Sequence, residues 1–431
     1  MPKLLCFGDV HLGAGPDYGR RPGDRLRDQR AVLEQIAELA IDEAVDGVLI
    51  AGDIFHGPGL PPEQLDAFAH FIAKLQMRIP VLAISGNGVH DLAMRETNGL
   101  KIFSHIPGVQ ISSTPDVYRF AGCAVATLPW VHPGRLIAQR GGGDRDEIHA
   151  DVAQLLLDIA ARGFEDCARV APGAPTILLG HWSISGSSLP NGLPVDQLRE
   201  PVIALPDLEA LGFDAIVAGH IHRPQLLETR VGSAPGPIFY VGSPMPLNHG
   251  EASTDHGVWI LDLPGGASSS VRAPSTPVDG QSNGSPAGDA GSTPAPRFIP
   301  IDSPRFVTLE RDLTVSDDEQ EWIDGLDFSA DHSAGELAGA IVRVKFRATS
   351  EQARKLDIPA ARAQLIAAGA AVVKVQPEIL RADRARVEGV DESLGELDAL
   401  DLYIAMVEGD LHSEFADRMR AKHRELVEAS S

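Results

Sequence analysis

Five short apolar runs in this 431-residue chain each stop at a glycine that is followed by a residue of metal-ligand type: Gly8-Asp9, Gly52-Asp53, Gly86-Asn87, Gly180-His181 and Gly219-His220. The runs, Lys3 to Phe7, Gly47 to Ala51, Val81 to Ser85, Thr176 to Leu179 and Asp214 to Ala218, have the length and β-branched content of buried strands. The five candidates therefore fall at strand C-termini, the edge at which α/β sheets gather ligands. A glycine there permits a sharp turn and a close backbone approach. Two further histidines follow at i+2, His11 and His222, a spacing that in extended chain returns both side chains to one face.

An isolated Asp or His at a strand end is commonly a turn or cap residue. Five such ends in one chain, two of them carrying an i+2 histidine, point instead to a dinuclear metal site built from Asp9, His11, Asp53, Asn87, His181, His220 and His222. With Asp53 as a bridge, each ion would hold four protein ligands and keep positions open for water and a substrate oxygen. Mixed nitrogen and oxygen donors suit manganese, iron or zinc better than calcium or magnesium. Only two of the seven ligands are anionic, so two divalent ions keep a net positive charge, which suits a phosphate ester.

Composition sets outer bounds. The chain is long enough for two or three domains, and its 43% hydrophobic and 23% charged residues are those of an ordinary globular protein. No apolar run approaches the roughly 20 residues of a membrane span. A strand and a ligand motif begin within the first nine residues, leaving no room for a signal peptide, so a cytoplasmic location is expected. Cys6, Cys123 and Cys167 lack CxxC spacing and read as reduced thiols. The formal charge of −23 opposes a polyanion, so any nucleic-acid path has to be local.

Residues 264–297 collapse to Gly, Ala, Ser, Pro, Thr and Asp and read as a disordered linker, because they cannot bury enough apolar area to offset ordering entropy. Before it, over residues 1–263, strands alternate with helical stretches such as Asp28 to Val45, Pro62 to Gln76 and Asp146 to Ala161, a layered α/β core. After it, residues 298–390 read as a smaller α+β domain. Its expected strands are Arg305 to Arg311, Ala340 to Arg347 and Ala371 to Gln376, with a helix at Ile358 to Ala368. Residues 391–431 look helical, with Leu411, Phe415 and Met419 on one face. That face fits packing on its own domain or docking of a partner coiled coil.

The order Asp9-x-His11, Gly52-Asp53, Gly86-Asn87, Gly180-His181 and Gly219-His220-x-His222 resembles the calcineurin-like metallophosphoesterases over about residues 1 to 263. Within them the chain is similar to the SbcD-type DNA repair exonucleases. That narrower resemblance also rests on Tyr240-Val241-Gly242-Ser243-Pro244, Gly250-Glu251, Gly257-Val258-Trp259 and a small capping domain after the core. The resemblance implies 3′ to 5′ exonuclease action on duplex DNA, endonuclease action on single strands or hairpins, support by manganese, a homodimer and a coiled-coil ATPase partner of SbcC type.

Two positions depart from the family. Where it reads Gly-Asn-His-Asp, this chain reads Gly86-Asn87-Gly88-Val89-His90-Asp91. His90 is expected to act on the leaving group, with Asp91 fixing its tautomer. At about 3.3 Å per extended residue, the two inserted residues displace the ring by several ångströms unless they loop out. His56 stands where the family usually carries a second Asp and reads as a loop polar residue.

DNA-contact candidates are Arg20 and Arg21, which open a stretch that continues through Arg25, Arg27 and Arg30, and the alternating Arg343, Lys345 and Arg347. Solvated, charge-balanced surface is the competing reading of both. A phosphoesterase acting on nucleotides or phosphoproteins, and a metal-binding structural subunit, stay open as alternatives to a DNA nuclease.

Overall fold

Leu5 and Phe7 of the first strand, β1 (Lys3–Phe7), pack in one apolar cluster, whereas Leu4 and Cys6 pack in another. The period-two alternation of a strand thus feeds two cores at once, which is why the run is continuously apolar. The same holds for β2 (Gly47–Ile50) and β3 (Val81–Ile84), buried at every residue. The computed structural model describes residues 1–15, 18, 23–57, 59–75, 78–91, 99–130, 144–228, 236–263, 296–315, 318, 325–326, 328, 335–380, 418–419 and 421–422. Nearly all of the expected linker, Leu411 and Phe415 of the terminal segment, and Arg20 and Arg21 lie outside these residues.

In the first sheet, β1 to β3 run parallel with β4 (Val109–Ser112), and β13 (Gly257–Asp262) and β14 (Arg297–Pro300) extend it antiparallel, in the order β14-β13-β1-β2-β3-β4. The strand that follows the low-complexity stretch thereby joins the first sheet. The second sheet contains β5 (Asp116–Phe120), β6 (Cys123–Leu128), β7 (Thr176–His181), β10 (Ala215–Gly219), β11 (Gln225–Leu226) and β12 (Ile238–Tyr240), ordered β11-β12-β10-β7-β6-β5. Between β7 and β10 a two-stranded pair forms from β8 (Ser183–Ile184) and β9 (Val202–Ile203).

The two sheets pack face to face through Leu4, Cys6, Leu49, Leu82 and Ile84 on one side and Val125, Ile177, Leu179, Val217 and Phe239 on the other. Helix α1 (Asp24–Asp42) turns Val32, Leu33, Ile36, Ala37 and Ala40 to the outer face of the first sheet, joined there by α2 (Pro62–Lys74). Helix α3 (Arg145–Val170) places Ile148, Val152, Leu156 and Ala160 at four-residue intervals on the outer face of the second. Asp144 caps it by accepting from the Arg145 N–H at 2.8 Å. The result is a helix, sheet, sheet, helix sandwich, so the layered α/β core read from the sequence is present. Helix ends differ from the expected ones: α1 starts four residues earlier, after Gly23 in the left-handed conformation, and α3 runs nine residues further, with Cys167 near its end buried in the same core as Ile148.

The chain divides into two compact units. One comprises Met1–Thr308 with His332–Arg343 and Leu365–Lys374, the other Leu309–Asp331 with Val344–Gln364 and Val375–Ser431. The remaining sheet has the order β15-β16-β17, from β15 (Phe306–Asp312), β16 (Ile341–Thr349) and β17 (Val372–Leu380). Three short helices follow in chain order, α4 (Leu205–Leu211), α5 (Ser350–Lys355) and α6 (Ile358–Ala367). A capping box of Thr349 and Gln352 starts α5. No helix among the described residues is long and apolar enough to cross a membrane.

Candidate metal centre

Parallel pairing sets the ends of β1, β2 and β3 level with one another, and those of β7 and β10 likewise, with Gly219 opposite His181. Gly52 supplies a left-handed turn, with φ of 91°, whereas Gly86, Gly180 and Gly219 make room for neighbours. A Cβ on Gly86 would lie 1.9 Å from Asp53 Oδ1, and one on Gly219 would lie 2.1 Å from the Ala51 carbonyl oxygen. Left-handed backbone is also found at the ligands themselves: Asp9, His11, Asp53 and His220 have φ of 50°, 48°, 50° and 89°. Left-handed backbone costs an L-residue about 1–2 kcal/mol. A single fully buried Leu or Phe contributes roughly 1.5–3 kcal/mol, so the cores beneath hold these residues in place.

All seven sequence-derived candidates meet at these strand ends. The ligand atoms of Asp9, His11 and His222 lie within 4.8 Å of one another, as do those of Asp9, Asp53 and His181. Asp53 Oδ2 stands 3.5 Å from His11 Nε2 and 3.4 Å from His181 Nε2, and Asp9 belongs to both groups. The Asn87 N–H donates to Asp53 Oδ1 at 2.7 Å, and the His220 N–H donates to the Asp9 carboxylate at 3.0 Å. Two atoms at the centre fit a cation that accepts lone pairs: Asn87 Oδ1 and His181 Nε2 are buried without a hydrogen-bond partner. A third sign is that His11 Nε2 and His222 Nε2 face each other at 3.1 Å.

Each ring is held by its other nitrogen. His181 Nδ1 donates to the Ala51 carbonyl at 2.7 Å, His222 Nδ1 to Glu251 at 3.1 Å and His220 Nε2 to Glu200 at 2.7 Å, while His11 Nδ1 lies 3.4 Å from His56 Nδ1. Such anchoring fixes the tautomer that a ligand needs. Glu200, His56 and Trp130, whose ring centroid is 5.2 Å from that of His220, did not emerge from sequence reasoning as site residues. Nothing local marks Glu200, which reaches the site from a loop between β8 and β9.

Burial opposes charge on Asp53, but the rings of His181, His11 and His90 outweigh it and hold the carboxyl well below the usual carboxylate range. Burial pushes Asp9 up against the pull of His181 and His222. His11 is driven well below the usual imidazole value, chiefly by burial, which keeps it in the neutral form that binds metal. For His181 burial acts downward, yet Asp53 beside it carries the ring up to about 9. His222 is also raised, burial being outweighed by the Glu251 hydrogen bond. The carboxylates beside these two rings, Asp53 and Glu251, are what favour positive charge there.

The inserted Gly88 and Val89 loop out. The His90 N–H bonds to the Asn87 carbonyl at 2.8 Å, closing a tight turn whose tip, Val89, is 63% exposed. The His90 ring therefore returns to the cluster, Nε2 4.0 Å from Asp53 Oδ2 and centroid 4.6 Å from that of His11. Its Nδ1 bonds to the His56 carbonyl, and the two rings stack at 5.1 Å.

Two expectations need correction. Asp91 does not orient His90: its carboxylate accepts the N–H groups of Phe55 at 2.7 Å, Gly86 at 3.1 Å and Ile54 at 3.2 Å, bracing the loops under the site. Burial, and then the charge of Asp53, push it up to about 7. His56 is a neighbour of His11 and His90, not an ordinary loop residue, and burial followed by His90 lowers its pKa. In the arginine-rich stretch, Arg25 is buried, donates to the Leu247 carbonyl and stacks over Tyr18, while Arg30 pairs with Asp66.

On β16 two of the three cations are matched by acids, while Arg343 keeps a buried Nε without a hydrogen-bond partner. Lys345 lies 3.4 Å from Glu310, Arg347 is 3.4 Å from both Asp312 and Glu378, and Arg343 donates to Thr308 at 3.1 Å.

Residues 2–224 match the family described as calcineurin-like phosphoesterase. The chain is 30% identical over 290 residues to the SbcD subunit of the SbcCD nuclease of Rhodobacter capsulatus, covering 62% of this chain and 67% of that protein. It is 24% identical over 294 residues to the protein of the same name from Escherichia coli strain K12, covering 64% and 68%. With "DNA double-strand break repair protein Mre11" of Aeropyrum pernix it shares 28% over 279 residues, 62% of this chain and 59% of that one. With its match spanning more than half of the sequence and its two sheets converging on the Asp, Asn and His cluster, the chain belongs to the calcineurin-like phosphoesterase family.

Proposed function

We propose that this protein is a DNA repair nuclease that hydrolyses phosphodiester bonds with two divalent ions, manganese being the expected metal. The observation that carries the reading is the meeting of His11 Nε2 and His222 Nε2 at 3.1 Å beside the unpartnered Asn87 Oδ1 and His181 Nε2. Asp9, His11, Asp53, Asn87, His181, His220 and His222 are the proposed ligands. When bound, two such ions polarise a phosphoryl group and acidify water.

The chain's own residues supply the rest. His90, tied by Nδ1 to the His56 carbonyl, turns Nε2 toward the cluster and holds the proton that the departing 3′ oxygen needs. Asp91 keeps the backbone beneath it from shifting.

DNA as substrate is favoured by the names of the relatives, a nuclease subunit in two bacteria and a double-strand break repair protein in an archaeon. The name SbcCD carried by two of them supports a second subunit, SbcC, as partner, and that this subunit is a coiled-coil ATPase is part of the proposal. Exonuclease action on duplex ends with endonuclease action on single strands, a homodimer and a cytoplasmic location belong to the proposal, as does the division into nuclease domain, linker, capping domain and helical end.

The test is degradation of an end-labelled duplex in manganese, with Asp53→Ala as control and a mononucleotide and a phosphopeptide as competing substrates. Manganese-dependent shortening lost in Asp53→Ala supports the reading. Turnover confined to the small substrates would replace DNA with a nucleotide or phosphoprotein.

A further inference from the structure

The His220 backbone N–H lies 3.0 Å from Asp9 Oδ1, so this residue enters the cluster main chain first. The nitrogen near its backbone, Nδ1, is then the one that can reach a shared ion, whereas His11, His181 and His222 turn Nε2 inward. A ring that coordinates through Nδ1 leaves Nε2–H pointing away into a partly buried place, where it needs an acceptor.

That acceptor comes from an excursion of the chain. Immediately after His181, β8 leaves the second sheet and pairs in parallel with β9, with the Ser185 N–H donating to the Ile203 carbonyl at 2.9 Å. The Val195 N–H is tied to the Ser187 carbonyl at 3.0 Å and the Ser188 N–H to Gln225 at 2.9 Å, so the loop is pinned along its length. Its return sets Glu200, with 20% of its side chain exposed, against His220: Oε1 accepts from Nε2 at 2.7 Å and from the Ser183 hydroxyl. One excursion thus starts at the ligand His181 and ends at the carboxylate that grips the ligand His220.

We propose that Glu200, steadied by Ser183, is a positioning residue that locks the His220 ring with Nδ1 toward one of the two ions. Glu251 performs the opposite selection on His222, holding Nδ1 so that Nε2 faces inward. A carboxylate acceptor also makes the coordinating nitrogen a stronger donor. The inference rests on the metal centre proposed above and not on DNA being the substrate.

The experiment uses the full chain and manganese alone. Stoichiometry and the two stepwise affinities are measured by titration calorimetry for wild type, Glu200→Ala, Glu200→Gln and Ser183→Ala, with thermal melting of each metal-free protein. Cobalt substitution adds an absorption spectrum that reports the ligand field. Glu200→Ala is expected to weaken one ion by about 10- to 100-fold, the usual effect of removing such a partner, and to leave the other within about twofold. Glu200→Gln, which can still accept from Nε2, recovers part of the loss, and Ser183→Ala falls between it and wild type. The cobalt spectrum changes in Glu200→Ala even where both ions are saturated.

Two full-affinity ions and an unchanged cobalt spectrum in Glu200→Ala would overturn the assignment. So would equal loss of both ions, together with a lowered melting temperature, in the Ala and Gln variants alike, which is a structural role. Wild type that binds no ion sinks the metal centre and this inference together. Wild type that binds two ions and leaves duplex DNA intact sinks the substrate reading alone, and the variants' affinities still decide the role of Glu200.

Discussion

Two regions of this chain carry charged or titratable residues in strand-based patterns, and they use them differently. At the strand ends of the two packed sheets, Asp53 is only 1% exposed and stands among rings and an amide that include the unpartnered His181 Nε2 and Asn87 Oδ1. On β16, Lys345 and Arg347 are 45% and 47% exposed and each has an acid at 3.4 Å. The first arrangement leaves a demand that a cation would meet, because buried polar atoms left unpaired cost about 1–3 kcal/mol each. The exposed pairs of the second are complete already, since such pairs are worth about 0–1 kcal/mol, and the unmet demand on that strand is confined to the buried Nε of Arg343. A pattern of charge in sequence therefore signals a site only where folding strips it of partners.

The sharpest way to break this contrast is Asp53→Ala. Removing the carboxylate between His11 and His181 is expected to abolish manganese-dependent cleavage and to lower bound manganese, read by elemental analysis, from about two ions per chain; two retained ions would count against the cluster as a dinuclear site. Next in size, His90→Asn is expected to keep both ions and to slow single-turnover cleavage by about two to four orders of magnitude, the worth of a positioned acid. Unchanged turnover would leave the leaving oxygen to water. Asp91→Ala leaves the N–H groups of Ile54, Phe55 and Gly86 without their acceptor, and a loss of several kcal/mol, at about 1–3 per buried donor, is expected in denaturant unfolding of the metal-free protein. A loss under about 1 kcal/mol would return Asp91 to a role on His90.

The smallest expected effect tests the other region. Lys345→Ala with Arg347→Ala should change stability by no more than about 1 kcal/mol and leave the salt dependence of DNA binding unaltered. A slope that falls by about one per lost cation would make the β16 face a phosphate track after all.

The meeting of the candidate ligands was legible from sequence because their strands announce themselves twice, by an apolar run and by a glycine that neighbouring atoms require, as at Gly86 and Gly219. The alternation of Leu4 and Cys6 with Leu5 and Phe7 likewise carries the double-sided core of the sandwich in plain view. What stayed hidden depends on direction and on distance along the chain. His90 and Asp91 are adjacent, which suggests a pair, but Asp91 has φ of 51° and its carboxylate goes to the backbone of two other segments. Glu200 meets His220 only because β8 and β9 pair, and two-residue strands leave no periodicity to read. The extra Gly88 and Val89 look disruptive by count alone. A turn absorbs them because its ends need only be one hydrogen bond apart.

The left-handed backbone at Asp9, His11, Asp53 and His220 makes heat resistance and chemistry pull the sequence in opposite directions. Glycine adopts that conformation without a steric penalty, and relief of such strain raises stability. Glycine at Asp9 or Asp53 would also strip the His220 or Asn87 N–H of its acceptor, at about 1–3 kcal/mol. A library of this chain selected only for surviving high temperature would therefore drift toward glycine first at His11 and His220 and shed those ligands as it did so. The residues such a screen discards first would trace the centre of the molecule's reactivity, a map drawn by what stability alone does not want.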